Sequence, residues 1–229
     1  MSISSAAPRV LLSRAALEQN ARTLLTDGCT VDLRHDAFGH GLDESARILA
    51  DAGAGAVLVD GPDEVERLGA VGIAAHVNGA ADIDACALFG IPDATASTTE
   101  PVMRLEGRVL STKPLHAGEA VSYGYTHRAQ QDTRVALVTG GYAQGILRAL
   151  GNHALVQIGE RTHPIVGRIA MDVCVVDLEG ADAPVGAPVA YFGTGAMRDA
   201  LAHWADVTGL TALEMAVVIG RHGHREWVA

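Results

Sequence analysis

The chain has 229 residues, a mass of 23.7 kDa and a formal net charge of −10, a length that makes one large domain or two small ones. Hydrophobic residues make up 48% and mean hydropathy is +0.19, which excludes general disorder, and the acidic balance argues against nucleic acid or an anionic membrane as partner, because both need a basic face. No apolar run reaches the roughly 18–20 residues of a membrane span, and Met1–Pro8 lacks the charged and apolar segments of a secretory signal, so a soluble cytoplasmic protein is expected.

Cys29, Cys86 and Cys174 are odd in number and far apart, which argues against a disulfide framework or a thiolate metal site. Of the 17 basic side chains, sixteen are arginine and one is lysine, Lys113. Chemistry that needs an amine nucleophile therefore has one side-chain candidate.

In chain order, Arg9–Leu12 reads as a strand, with Ser13 as N-cap of a helix carrying Ala16, Leu17, Asn20, Ala21 and Leu24 at helical spacing. Thr30–Leu33 reads as a second strand, followed by the glycine turn Phe38-Gly39-His40-Gly41 and a helix from Asp43 to Ala52. Ala54–Val59 is a small-apolar run of the kind buried on both faces of a parallel sheet. Pro62 opens a helix with Asp63 and Glu64 in its first turn, where the dipole favours acids. Val71–Val77 gives a fourth strand, Ala80–Phe89 a fourth helix, and a fifth strand starts near Ala94. Four βα units require right-handed crossovers and a parallel sheet, and four are too few to close an eight-unit barrel, so edge strands need covering.

From Val102 the pattern changes to Val-, Thr- and Ile-rich runs: 102–111, 134–139, 154–158, 166–178 and 188–192, separated by glycine turns. This predicts a small Greek-key-like β-barrel, interrupted by a helix over 196–207, with Leu213–Ile219 returning as a strand. The predicted domains are 1–100, a partial βα barrel, and 101–229, a β domain.

Four segments can carry chemistry. Arg34–Gly41 follows a strand end, where βα folds collect ligand contacts; Arg34 or His40 there can meet an anion, or the segment is a tight turn with a capping histidine. Tyr123 sits beside Gly124 at a strand end and serves as a base only if its pKa falls well below about 10; a packed phenol is the simpler reading. Gly141–Gly145 and Gly167–Asp172 place polar groups beside glycine, as turn geometry and a buried Arg168–Asp172 pair would. His35, His40 and His222-Gly223-His224 lack the partners of a defined zinc site, so no metal is expected.

Together these motifs resemble the alanine racemases, fold-type III enzymes that use pyridoxal phosphate. Gly118–Gly124 resembles the stretch around the family's catalytic tyrosine, Gly141-Tyr142-Ala143-Gln144-Gly145 its Gly-Tyr-Ala-Asp-Gly, and Gly167-Arg168-Ile169-Ala170-Met171-Asp172 its Gly-Arg-x-x-Met-Asp. Leu17–Asn20 also fits. The match is specific over about residues 100–220 and looser before them. The resemblance implies a partial α/β barrel followed by a β domain, a head-to-tail dimer in which each β domain closes its partner's barrel, Tyr123 as one base, and Met171 and Asp172 at the substrate.

The sequence departs from the family at decisive places. The family's Lys-Ala-x-Ala-Tyr-Gly-His-Gly aligns with Arg34–Gly41, so Arg34 stands where the imine lysine belongs, Phe38 replaces a phosphate-contacting tyrosine, and His40 is retained. Leu213, before Glu214, replaces the C-terminal phosphate-contacting tyrosine, and about half the barrel is absent. Arginine stays protonated and offers no amine, and Lys113 reads as a solvated strand-end charge.

The reading is an alanine-racemase relative whose cofactor chemistry is lost, acting through association as a homodimer or with a full-length racemase. The alternatives are a racemase or epimerase pairing Tyr123 with His35 or His40, and a small-anion binding module built on Arg34 and His40.

Overall fold

The computed structural model describes residues 7–92 and 99–229. The strand expected near Ala94 lies outside the described residues. Two compact units result: one from Met1–Val10, Arg104–Leu210 and His222–His224, the other from Leu11–Met103, Thr211–Arg221 and Arg225–Ala229.

The second of these holds the four βα units. They comprise β1 (Arg9–Ser13) with α1 (Arg14–Leu24), β2 (Thr30–Asp32) with α2 (Leu42–Asp51), β3 (Ala56–Leu58) with α3 (Pro62–Gly69), and β4 (Ala75–His76) with α4 (Ala85–Phe89). Strands β2, β3 and β4 form a parallel sheet in that order, whereas β1 stands outside it, next to the last strand, β13 (His224–Val228). Val31, Leu33, Val57 and Leu58 are buried on the sheet, and Leu17, Leu49 and Leu68 come from the helices, the two-sided cover a parallel sheet needs.

Asn20 is a buried polar residue with every group satisfied. Its amide donates to the carbonyls of Leu88 (3.0 Å) and Glu100 (2.8 Å), and its carbonyl accepts from the Glu100 N–H (2.8 Å). It thereby ties α1 to the chain leaving α4.

Two expectations for this unit change. The predicted strand 71–77 shrinks to β4, because Val71 and Ile73 donate to the Leu68 carbonyl and finish α3 instead; Val71 is exposed. The predicted strand 213–219 is a helix, α6 (Ala212–His222). Thr211 and Glu214 form its capping box: the Thr211 N–H and hydroxyl both donate to Glu214, and the Glu214 N–H donates back to the hydroxyl. Ala212, Met215, Ala216, Ile219 and Gly220 are buried at helical spacing. Capping and a single buried face decide for helix.

The other unit is built on β5 (Met103–Leu115), the short pair β6 (Ala120–Val121) and β7 (His127–Arg128), then β8 (Thr133–Thr139), β9 (Leu155–Ile158), β10 (Arg161–Val166), β11 (Val173–Asp177) and β12 (Pro188–Phe192). The order β12-β9-β10-β11-β8-β5, with β12 also pairing β5, closes a six-stranded antiparallel barrel. The apolar run at 166–178 divides into the end of β10, a turn and β11. Inside, Tyr191, Phe192, Val156, Ile165, Val176 and Val189 are fully or almost fully buried. The helix expected over 196–207 is α5 (Ala200–Thr208), whose Trp204 packs edge-on against Phe192 at 5.6 Å between ring centres.

Candidate functional site

The sequence-derived site residues fall into two groups, one in each unit. Arg34, His35, Phe38, His40 and Leu213 belong to the parallel-sheet unit, and Tyr123, Gln144, Met171 and Asp172 to the barrel unit.

Arg34 begins the first group. Asp32 ends β2 as a nearly buried carboxylate, and Arg34 closes on it as a fork. Nε donates to Oδ1 (2.9 Å) and Oδ2 (3.1 Å), the terminal nitrogen also contacts Oδ2, and the Arg34 backbone N–H donates to Oδ1 (3.0 Å). Burial pulls the Asp32 carboxyl upward, but the hydrogen bonds and charge of Arg34 outweigh it and hold the group below the usual carboxylate range. The same pair raises the already high arginine pKa.

The next residues form a left-handed turn. His35, Asp36, Ala37 and Phe38 have φ of 57°, 58°, 53° and 50°, a run that L-residues avoid at roughly 1–2 kcal/mol each. Several bonds hold it. The His35 N–H donates to Asp60 (2.6 Å), Asp36 accepts from the Leu42 N–H (2.8 Å) at the start of α2, and Arg225 of β13 binds both the Asp36 carboxylate and the Gly39 carbonyl (3.2 Å). The chain turns so tightly against α6 that a Cβ on Gly39 would lie 2.7 Å from the Ala216 carbonyl, and one on Gly220 would lie 2.1 Å from the Gly39 carbonyl.

His40 is fully buried and stacks on Phe89 at 4.1 Å between ring centres. Its Nδ1 lies 2.9 Å from the Ala37 carbonyl, so Nδ1 carries the hydrogen, and Nε2 has no hydrogen-bond partner among the described residues. Burial pushes its pKa down to about 4, with nearby Arg225 adding to the effect and Asp36 opposing it. The ring is a neutral packing element facing the core, while His35 lies outside, its Nδ1 3.5 Å from Asp60. The two histidines do not converge, and no group of three or more potential metal ligands exists among the described residues.

A phosphoryl cofactor finds poor partners here. Phe38 is buried against Phe89 and has no hydroxyl, Leu213 is a half-buried apolar residue on α6, and Arg34 is committed to Asp32.

In the barrel unit, Tyr123 opens a 3-10 turn at Tyr123–Tyr125 and is 73% exposed; Tyr125 and Met171 are also exposed. The Ser122 hydroxyl donates to the Arg168 carbonyl (2.5 Å) and joins this turn to the loop before β11. The expected Arg168–Asp172 pair is absent among the described residues. Gln144 takes the place at Asp172 instead: its Oε1 accepts from the Gly141 N–H (2.9 Å) and its Nε2 donates to Asp172 (2.9 Å). An aspartate at 144 would set a second carboxylate near Asp172, whereas the amide offers a donor.

Sequence reasoning missed Asp60, Arg225 and Gly220. Arg225 meets Asp36 across 189 residues, a distance over which no local pattern carries information. The glycine at 220 within an apolar helical run was the one available signal of close approach.

Residues 102–227 match the family described as alanine racemase, C-terminal domain. The alanine racemase of Mycobacterium avium is 41% identical over 131 residues, 56% of this chain and 34% of that protein; that of Mycolicibacterium vanbaalenii is 42% identical over 126 residues, 54% and 32%. The aligned stretch thus spans about a third of these relatives' length. Among solved structures, alanine racemase from D-cycloserine producing Streptomyces lavendulae superposes with a TM-score of 0.84 at 18% identity, covering 98% of this chain and 97% of that one. Alanine racemase from E. faecalis gives 0.82 at 18%, covering 98% and 99%. The partial βα barrel with its C-terminal β-barrel domain is therefore the fold of those enzymes, and this chain belongs to the alanine racemase family.

Proposed function

We propose that this chain is an alanine-racemase relative that does not hold pyridoxal phosphate as a lysine imine and that acts through association, with a second copy or with a full-length alanine racemase. The observation that carries the first part is the Arg34–Asp32 fork. Arg34 aligns with the family's imine lysine, and a permanently protonated guanidinium held by a carboxylate offers no neutral amine. Phe38 and Leu213 lack the hydroxyls that would meet a phosphate. The second part is supported by Tyr123, Tyr125 and Met171, which expose large side chains on one small unit, the usual composition of an interface centre.

Incubation with excess pyridoxal phosphate, borohydride reduction, intact mass and peptide mapping test the cofactor part. No site-specific adduct is the expected result; a stoichiometric one on Lys113 that Lys113→Ala abolishes would overturn it. Sedimentation of the chain alone, and mixed with a full-length alanine racemase, tests association. A strict monomer in both experiments would refute it.

A further inference from the structure

Two cavities indent the barrel unit and share Ser122, Leu137 and Val175 among their lining residues. The larger, about 460 Å³, is lined by apolar residues including Leu137, Val173 and Val175, with Arg168 on its lining. The smaller, about 340 Å³, includes Lys113. The shared residues make them one groove with a cation in each half.

The floor is the sheet itself. Val175 on β11 pairs with Leu137 on β8, and Ser111 on β5 pairs with Leu137 on its other side. Lys113 lies two residues along β5 from Ser111 and so shares its face. Arg168 approaches from the loop before β11, its guanidinium against Gly124. Two strand spacings, about 10 Å, separate β5 from β11.

Both cations are exposed, and neither has a hydrogen bond or ion pair among the described residues. No Asp or Glu lines either cavity, although acidic side chains outnumber basic ones 27 to 17. In so acidic a chain, two unpaired cations on an apolar floor mark a place where negative charge is to be supplied from outside.

We propose that this groove binds a linear apolar molecule with an anionic group at each end, an α,ω-dicarboxylate in its simplest form, one carboxylate on Arg168 and the other on Lys113. Arginine can take its carboxylate as a two-point fork, lysine as a point charge. The proposal is independent of the loss of imine chemistry. Because the groove contains the exposed Tyr123–Tyr125 turn, a bound ligand and an associated partner would meet on the same surface.

Calorimetry on the full chain with suberate, octanoate and succinate is the test, with mass followed by light scattering in the same samples so that failure of association is read separately. Suberate is expected to bind at least about tenfold tighter than octanoate, which has one charge, and than succinate, which is too short. Arg168→Met and Lys113→Met should each remove that advantage, while Lys113→Arg keeps it. Equal affinity for octanoate, affinity unchanged in both methionine variants, or no binding of suberate would overturn the proposal.

Discussion

Arg34 folds back on Asp32, two residues before it, and grips both carboxylate oxygens with Nε at 2.9 and 3.1 Å. The pair sits at the end of β2 and satisfies a carboxylate that the fold has largely taken from water. Asp32→Asn should destabilise the chain by about 1.5–3 kcal/mol in urea unfolding at pH 7, the range for hydrogen bonds to charged groups. The folded carboxyl titrates lower than the unfolded one, so its contribution is complete above about pH 4 and is lost as pH falls through the folded value. The gap between wild type and variant should therefore close in acid.

His40 acts in the same direction from a different cause, burial of a neutral ring. Its folded pKa is lowered from 6.5 to about 4, so between these values the unfolded chain takes a proton that the folded chain refuses. Stability then falls as pH drops from about 6.5 to 4, by up to about 3 kcal/mol. His40→Phe keeps a ring to stack on Phe89 and should flatten this slope in thermal melts at pH 5 and 7.5. The His40 ring signals of the wild type should stay those of neutral imidazole at pH 5.5.

Gly220 reverses an ordinary rule. Glycine inside a helix costs roughly 1 kcal/mol relative to alanine, so Gly220→Ala would normally stabilise α6. Here the added methyl meets the Gly39 carbonyl at 2.1 Å, and backbone cannot step aside as a flexible side chain can. A loss of about 2–3 kcal/mol is expected, with weakened protection of the Gly39 and His40 amides in hydrogen exchange.

Cys174 is buried, and burial pushes its thiol up to about 12. Its sulfur lies 3.3 Å from the Tyr191 hydroxyl, which donates to the Thr139 carbonyl at 2.6 Å. At pH 8 the folded protein should resist iodoacetamide at Cys174 and react there only on unfolding. Tyr191→Phe removes the hydroxyl's bond to the Thr139 carbonyl and should cost about 0.5–1.5 kcal/mol, measured by the same unfolding series.

Much of this was legible in the chain. The apolar periodicity, the N-cap at Ser13 and the proline at Pro62 placed the first helices within a few residues, and the change to β-rich sequence after Val102 marked the barrel. The motifs around Arg34, Tyr123 and Met171 pointed to the family. Two kinds of information were not legible. Short apolar runs are ambiguous, so Leu213–Ile219 read as a strand until the Thr211–Glu214 cap and one buried face were visible. Contacts across long sequence separations leave no local trace, so neither Arg225 on Asp36 nor the groove between Arg168 and Lys113 was foreseen. Both depend on which strands become neighbours.

The turn at His35–Phe38 has a stereochemical consequence. A backbone winding left over four residues with side chains is the mirror image of an ordinary helical turn. D-residues prefer that region, so a semisynthetic chain carrying D-alanine at position 37 in place of Ala37 would relax the segment that holds Arg34 in place. At this one turn, a substitution of inverted handedness should raise the melting temperature.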